Sequence, residues 1–263
     1  MQLFSSKYLS GYFGKVLHCQ VMNVIELHFD AELADFFGVA HVITCPLDRR
    51  ASIKDIIEAQ GVPHTEVGEI QADGYLKGFD HIPGAGQVIV VKKVQVPFNV
   101  CTPSFLRPEP LRCIRFLVDV NVGKLAPLLR MLGYDTFFDP GLKDREIACI
   151  AFTEKRVVLS RDRGLLKRSH IEFGRLIRSV NPHDQLREVY SLFGLNCLDS
   201  FTRCLHCNHQ LQEVQKESIE DRLEPKTKKY YNRFSLCPGC NRIYWPGSHW
   251  EKMKLLVKNA CNS

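Results

Sequence analysis

The sequence lacks a run of about 18 consecutive apolar residues, the length that a transmembrane helix requires. Its N-terminus lacks the basic and apolar segments of a secretory signal, so we expect a cytoplasmic protein. Glycine and proline number only 17 and 13 among 263 residues, which excludes a collagen-like or wholly disordered chain. Cysteine is frequent, with 11 residues, and without a secretion signal it favours metal ligands or reduced thiols over disulfides.

Charge is distributed unevenly along the chain. Residues 1–111 carry 9 Lys+Arg and 12 Asp+Glu, whereas residues 112–263 carry 26 and 17. The net charge of +6 therefore arises wholly in the C-terminal part. A basic region joined to a mildly acidic one is typical of a protein that binds a polyanion, with nucleic acid the first candidate. An unequally charged solvated surface is the alternative.

A proline-rich stretch at residues 98–111 predicts an extended linker, because proline removes backbone donors and fixes φ. Before it, residues 1–97 form the first predicted domain. Apolar runs and turn residues there predict two strands, a helix and two more strands, at residues 21–29, 40–45, 52–61, 68–72 and 87–96. This β-β-α-β-β order predicts a small α+β roll.

Residues 112–200 predict a parallel α/β sheet, because short apolar strands alternate with amphipathic helices. The predicted strands lie at residues 114–118, 135–138, 157–159 and 174–178. Polar residues just after the carboxyl ends of such strands face the ligand crevice. Asp119 and Asp162 hold that position on two separate strands.

Four acidic residues form a candidate catalytic set: Asp119, Asp144, Glu146 and Asp162. Convergent carboxylates raise each other's pKa, and a hard cation such as Mg²⁺ or Mn²⁺ removes that cost. Such a site can activate water against a phosphodiester. Taken singly, each is better explained by a structural role: Asp144 as a helix cap, Asp162 as a turn residue and Asp119 as a hydrogen-bond acceptor. Their equivalent positions in a basic region favour the metal site.

Two C-x₂-C pairs, Cys204 with Cys207 and Cys237 with Cys240, are the most specific local pattern in the chain. They can place four thiolates around one Zn²⁺. A site closed by four cysteines has no open coordination position, so we predict a structural zinc ribbon over residues 201–263. The other seven cysteines show no ligand spacing and are expected to be buried apolar residues or surface thiols.

Two groups of cations are candidate RNA contacts, since cations neutralise phosphates and aromatic rings stack on unpaired bases. One group lies beside Asp162 and the other lies in the ribbon: Arg161, Arg163, Lys167 and Arg168, then Lys226, Lys228, Lys229 and Arg233. A solvated helix face remains the alternative for the first group. We expect Tyr244 and Trp245 to pack the small core of the ribbon.

The acidic strand ends resemble those of PIN-type nucleases. The similarity is carried by residues 116–121 (FLVDVN), 144–151 (DREIACIA) and 157–166 (VVLSRDRGLL). More specifically, GKLAPLLRMLGYDT, SRDRGLLKR, DQLREV and the cysteine segment resemble the Mut-seven C-terminal RNase domain, a PIN-like nuclease fused to a zinc ribbon. The resemblance implies that Asp119, Asp144 and Asp162 bind Mg²⁺ or Mn²⁺, with Glu146 a fourth acid, and that the substrate is RNA.

The segment SIKDIIEAQGVPHTEVGEI resembles the ubiquitin-like β-grasp domain that often precedes this RNase domain. Sulfur carriers and modifiers of that fold need a free C-terminal diglycine, whereas here the chain continues through Val96 and Pro97. The domain is therefore expected to dock a protein partner or to position RNA.

The leading hypothesis is a metal-dependent ribonuclease. The alternative is a non-catalytic protein that binds RNA or a ribonucleoprotein through its basic faces and the ribbon. A nucleotide enzyme of the adenylating type is excluded, because no Gly-rich phosphate loop follows the first strand of the α/β region.

Overall fold

The computed structural model describes residues 23–261, with side chains to residue 259. Its N-terminal part is a five-stranded sheet of order β2-β1-β5-β3-β4 in which β1 and β5 are parallel. The elements are β1 (Val24–Phe29), α1 (Ala31–Phe37), β2 (Val42–Pro46), α2 (Ile53–Ala59), β3 (Val67–Ala72), β4 (Tyr75–Leu76) and β5 (Val88–Lys93). The order β-β-α-β-β predicted from the sequence was wrong in omitting α1 and β4. Residues 21 and 22 of the first predicted strand lie outside the described residues.

Helix α1 lies between β1 and β2, where the sequence analysis predicted no element. It begins after Asp30, whose side chain accepts a hydrogen bond from the Leu33 N–H, and it ends at Gly38, which has a φ of +67°. Both are typical helix boundary residues. Seven residues make barely two turns, so the apolar periodicity that would identify the helix is short.

The second sheet has four strands in the order β7-β6-β8-β9, and every neighbouring pair is parallel. This confirms the predicted parallel α/β architecture. The elements are β6 (Phe116–Val118), α3 (Leu125–Met131), β7 (Thr136–Phe137), α4 (Asp144–Thr153), β8 (Val157–Ser160), α5 (Arg163–Leu166), β9 (Gly174–Leu176) and α6 (Pro182–Phe193). The parallel arrangement brings the carboxyl ends of all four strands to one edge.

The two sheets share one hydrophobic core. Ile57 and Ile70 of the N-terminal part belong to the same buried cluster as Ile147, Val158 and Leu165 of the second part. Such a core fixes the two parts against each other. The predicted division into separate domains with boundaries at 97 and 112 therefore stays a prediction.

The segment between β5 and β6 contains neither helix nor strand, but it is packed rather than free. Its Arg107 is 3 % exposed and donates to the carbonyls of His64, Thr65 and Val67 on one side and of Glu172 on the other. Burial, followed by the charge of Arg175, lowers the Arg107 pKa to about 9, which leaves the guanidinium charged at neutral pH. This side chain therefore links the N-terminal part to the segment just before β9, in addition to their shared core.

The C-terminal part is a three-stranded antiparallel sheet with flanking helices. It comprises β10 (Gln212–Val214), α7 (Pro225–Tyr230), β11 (Phe234–Leu236), β12 (Ile243–Tyr244) and α8 (Trp250–Cys261). Arg130 of α3 donates to the carbonyls of Leu205 and His206 and so ties this part to the second sheet. No helix among residues 23–261 has the length and apolar character needed to cross a bilayer.

Candidate active site and metal centre

Asp119 follows β6 at the carboxyl edge of the parallel sheet and is 7 % exposed. Its Oδ1 accepts from the Val120 N–H at 2.6 Å. Its Oδ2 accepts from Asn121 Nδ2 and from Ser160 Oγ, each at 2.6 Å. A buried carboxylate with three hydrogen-bond donors is held in one orientation.

Asp162 follows the neighbouring strand β8 and caps α5, since its Oδ1 accepts from the Gly164 N–H at 2.6 Å. Its own N–H donates to Ser160 Oγ at 2.8 Å. The hydroxyl of Ser160 therefore connects the two aspartates directly. The structure brings Asp119 and Asp162 to one place, as their strand positions predicted.

Ser160 and Asn121 are the site residues that the sequence reasoning missed. Ser160 is fully buried as the last residue of β8, and the Asn121 side chain also reaches Ser160 Oγ, at 3.2 Å. Asn121 Oδ1 accepts from the Arg161 N–H. The sequence does contain a signal for Ser160: it is the one polar residue of β8, and it lies two residues before Asp162.

Asp144 and Glu146 lie at the start of α4 with partners of their own. Asp144 Oδ2 is 3.3 Å from Arg168 Nη2, and nearly half of each side chain of this ion pair is exposed to solvent. Glu146 Oε2 accepts from the Lys143 N–H and completes a capping box. Within residues 23–259, the one group of three or more metal-ligating side chains within 4.8 Å of one another is the cysteine quartet. Participation of Asp144 and Glu146 in a metal site thus stays a prediction.

The first group of predicted RNA-binding cations faces the N-terminal part as well as solvent. The guanidinium of Arg163 lies over the Phe37 ring, 4.9 Å from its centroid. Lys167 Nζ donates to the Glu58 carbonyl at 2.6 Å. Arg161 is exposed, and Arg168 makes the ion pair with Asp144. Two of the four cations therefore also hold α5 against helices α1 and α2 of the N-terminal part.

The four predicted zinc ligands converge. The Sγ atoms of Cys204, Cys207, Cys237 and Cys240 all lie within 4.8 Å of one another. Cys204 and Cys237 are buried, and the residues that follow the two pairs, Asn208 and Asn241, have φ values of +73° and +59°. In both turns the N–H of the second cysteine donates to the Sγ of the first, Cys207 to Cys204 and Cys240 to Cys237. The geometry fits one tetrahedral Zn²⁺.

The thiols of this cluster differ in acidity. Burial raises the pKa of Cys204, but hydrogen bonds from the Tyr244 hydroxyl and from nearby backbone N–H groups outweigh it and lower that pKa to about 6. Burial and the neighbouring thiols raise the pKa of Cys207 to about 12. Several thiolates held this close need a cation between them, which is what Zn²⁺ supplies.

The remaining ribbon residues only partly match the expectations. Tyr244 is half-buried and contacts Cys204 Sγ through its hydroxyl at 3.1 Å, and its packing in the ribbon core stays a prediction. Trp245 is 39 % exposed, so its assignment to the ribbon core was wrong. Lys226, Lys228, Lys229 and Arg233 are all exposed, although Lys228 pairs with Glu220 at 2.9 Å. Cys197 is disulfide-bonded, contrary to the expectation that it is a free thiol.

The chain thus has three parts: a ubiquitin-like sheet, a parallel α/β unit with an acidic carboxyl edge, and a small antiparallel sheet with four converging cysteines. Residues 114–257 match the family described as the Mut7-C RNAse domain, and residues 22–98 match the one described as Mut7-C ubiquitin. The chain belongs to the Mut7-C RNAse domain family, and the resemblance noted in its sequence is confirmed.

Comparison with individual proteins adds little. No curated protein matches the chain. Among solved structures, the small archaeal modifier protein 1 of H. volcanii matches with 16 % identity and a TM-score of 0.23. The match covers 27 % of this chain and 97 % of that protein.

Proposed function

We propose that the protein is a metal-dependent, PIN-like ribonuclease whose reaction centre lies at Asp119 and Asp162. The observation that supports it most is the hydrogen-bonded unit of these two aspartates with Ser160 at adjacent carboxyl ends of a parallel sheet. The family is described as an RNase domain, which makes RNA the expected substrate.

The side chains at this edge fit a hard divalent cation. Carboxylate, carboxamide and hydroxyl oxygens are the ligands that Mg²⁺ and Mn²⁺ prefer. Asp119 is already fixed by its donors, and within the described chain no donor contacts Asp162 Oδ2. Mg²⁺ commonly binds proteins through one or two carboxylates and several waters. Two aspartates therefore suffice for one ion.

The roles of the residues follow from their surroundings. Asp119 and Asp162 would hold the ion, which when bound polarises the phosphoryl oxygen and makes water more acidic. Ser160 and Asn121 fix the Asp119 carboxylate, so little reorganisation is needed when RNA arrives. Exposed Arg161 lies next to Asp162 and would contact the phosphate backbone.

The N-terminal part supports this edge. Phe37 and the Glu58 carbonyl contact Arg163 and Lys167 at the two ends of α5, the helix that Asp162 caps. We infer that the ubiquitin-like part positions α5 and so orients Asp162. The shared core makes this part a fixed component of the enzyme, and docking of a protein partner on its outer face is a further proposal.

A non-catalytic RNA-binding function is the second candidate. It is favoured by one observation: Asp144 is occupied by Arg168 and Glu146 by the helix cap, which leaves two carboxylates at the edge. The basic surface and the ribbon would then bind RNA without cutting it.

A cleavage assay separates the two. Purified protein is incubated with single-stranded RNA and Mg²⁺ or Mn²⁺, beside Asp119→Asn, Asp162→Asn and the control Asp184→Asn, which changes an exposed acid paired with Arg187 on α6. We expect the first two variants to lose at least about 100-fold in rate, in line with the loss of a charge-stabilising group, and the control to keep its rate. RNA that is bound but stays intact with every metal supports the binding function. Equal cleavage by all variants would refute the proposed site.

A further inference from the structure

A cleft of about 500 Å³ lies in the C-terminal part, away from the acidic edge. Its volume falls in the range of small-molecule sites, roughly 300–1,000 Å³. The cleft is bounded by β11, β12, α8 and the chain before the first cysteine pair. Five aromatic rings line it: Phe201, Phe234, Tyr244, Trp245 and Trp250.

The aromatic lining is held rigidly on one side and open on the other. The rings of Phe201 and Trp250 are 4.1 Å apart, and Tyr244 is fixed by its hydroxyl contact with Cys204. The Trp245 indole, in contrast, is 39 % exposed, and no ring contact involves it among the described residues. An exposed indole facing fixed rings offers a flat stacking surface to a planar ligand.

The charges at the cleft are mostly positive. Three cations and one acid line it: Arg203, Arg233, Lys254 and Glu213. Arg203 donates to the carbonyls of Gly133 and Asn208, so it serves as scaffold. Within residues 23–259, Arg233 has neither a hydrogen bond nor an ion pair, and its charge is available to a ligand.

We propose that this cleft binds an unpaired base of the RNA, which stacks on Trp245 while its phosphate pairs with Arg233. Every base has a face that stacks on aromatic rings, and the adjoining phosphate needs a cation. This inference rests on the proposed RNA-binding function but not on cleavage.

The position of the cleft sets a minimum length for a substrate that uses both sites. Asn208 accepts from the Thr136 N–H at the first residue of β7, so the ribbon is attached to the amino edge of the parallel sheet. Asp119 and Asp162 lie at the carboxyl edge. Strand β8 alone, with four residues, separates the two edges by about 10–13 Å. An RNA that uses both sites must span at least this distance, and a fragment too short to do so reaches one site only.

Intrinsic fluorescence tests the proposal, because the two tryptophans of the chain are Trp245 and Trp250 and both line the cleft. The full chain with zinc is titrated with a single-stranded oligoribonucleotide without added Mg²⁺ or Mn²⁺, and binding is followed in parallel by the anisotropy of labelled RNA. We expect saturable quenching with the same affinity in both signals. Trp245→Ala should weaken binding about 5- to 150-fold, the range measured for base stacking.

The matched pair Arg233→Gln and Arg242→Gln tests the phosphate contact, because both arginines are exposed on the ribbon and Arg242 does not line the cleft. Arg233→Gln should reduce the slope of log affinity against log salt by about 0.7, and Arg242→Gln should not. Unchanged zinc content shows that each variant is folded.

Three results would overturn the inference. RNA binding without a change in fluorescence means that the bases stack elsewhere. Equal affinity of Trp245→Ala and the wild type means that the cleft is not used. Fluorescence that changes with protein concentration in the absence of RNA means that a second copy fills it. Quenching in this titration, together with intact RNA in the separate cleavage assay with Mg²⁺ or Mn²⁺, would instead support the cleft and refute the nuclease.

Discussion

Replacing Ser160 with alanine tests whether this residue unites the candidate active site. The hydroxyl donates to Asp119 Oδ2 at 2.6 Å and accepts from the Asp162 N–H at 2.8 Å and from Asn121 Nδ2 at 3.2 Å. The residue is fully buried, so water cannot replace the lost contacts without entering the sheet. One hydrogen bond to an ionised group contributes about 1.5–3 kcal/mol, and a buried N–H left without a partner costs about 1–3 kcal/mol.

Ser160→Ala should therefore destabilise the fold by about 2–5 kcal/mol, measured as the free energy of unfolding in urea. Activity should fall further than the folded fraction does, because Asp119 loses one of the donors that orient it. Single-turnover cleavage at saturating RNA, over a range of Mn²⁺ concentrations, separates weaker metal binding from a slower chemical step. Ser169→Ala is the matched control, since Ser169 is exposed on the loop after α5.

The two variants give a clear contrast. Ser169→Ala should stay within about 0.5 kcal/mol of the wild type, as surface substitutions usually do. If Ser160→Ala is as stable and as active as Ser169→Ala, then the hydroxyl does not organise the aspartates. If it is destabilised but fully active when folded, the contact is structural and Asp119 is oriented by its other donors.

Two further predictions concern the contacts between the parts of the chain. Partial burial raises the pKa of Asp135, but hydrogen bonds from Arg156 and Asn208 outweigh it and hold that pKa below its usual value. Asp135→Asn should cost about 1–3 kcal/mol at neutral pH, and the loss should vanish as the pH falls below about 3.9 and through the folded-state pKa, where the wild type is itself protonated. Arg107→Met removes a donor from four carbonyls, of which those of His64 and Thr65 keep a second donor in the Val67 N–H and in Arg175. The carbonyls of Val67 and Glu172 lose theirs, and the free energy of unfolding should fall by about 2–4 kcal/mol.

Their controls are exposed residues of the same type. Asp139→Asn and Arg112→Met change side chains at the surface of the same region. Neither should change the free energy of unfolding in urea by more than about 0.5 kcal/mol. A difference between Asp135→Asn and the wild type that does not depend on pH would show that the Asp135 charge is not what the ribbon contact uses. Arg107→Met with wild-type stability would show that the shared core and the other polar contacts between the two parts, such as those of His64 with Ile171 and of Glu66 with Leu176, suffice without it.

The sequence predicted the parallel sheet and the cysteine cluster well because both depend on local pattern. Strands β6 and β8 are short apolar runs: Asp119 follows β6, and Ser160 is the last residue of β8. Such apolar runs are typical of parallel strands that are buried on both faces. The cysteine pairs are recognisable because a tetrahedral metal fixes their spacing. Helix α1 was missed, since seven residues give too few turns for a periodic signal.

The roles of Ser160 and Arg107 could not be read from the sequence because both depend on contacts far apart in the chain. Ser160 is 41 residues from Asp119, and Arg107 reaches the Glu172 carbonyl across 65. Nothing in the local sequence distinguishes this serine from a strand residue or this arginine from a linker cation. Ser160 gains its partner from the pairing of β6 with β8, and Arg107 gains its partners from the packing of the two parts against each other.

The distribution of charge shows how composition and structure differ as evidence for RNA binding. Counted along the sequence, the cations beside Asp162 form one basic group, but Arg163 lies on Phe37, Lys167 holds the Glu58 carbonyl and Arg168 pairs with Asp144. Such cations stabilise the arrangement of the acidic edge, and they already have partners within the protein. Their charge is therefore only partly available to RNA. Arg233, whose charge has no partner in the described chain, carries more weight for RNA affinity than its place in the count implies. The salt dependence of binding should therefore report fewer phosphate contacts than the number of cations in the two groups.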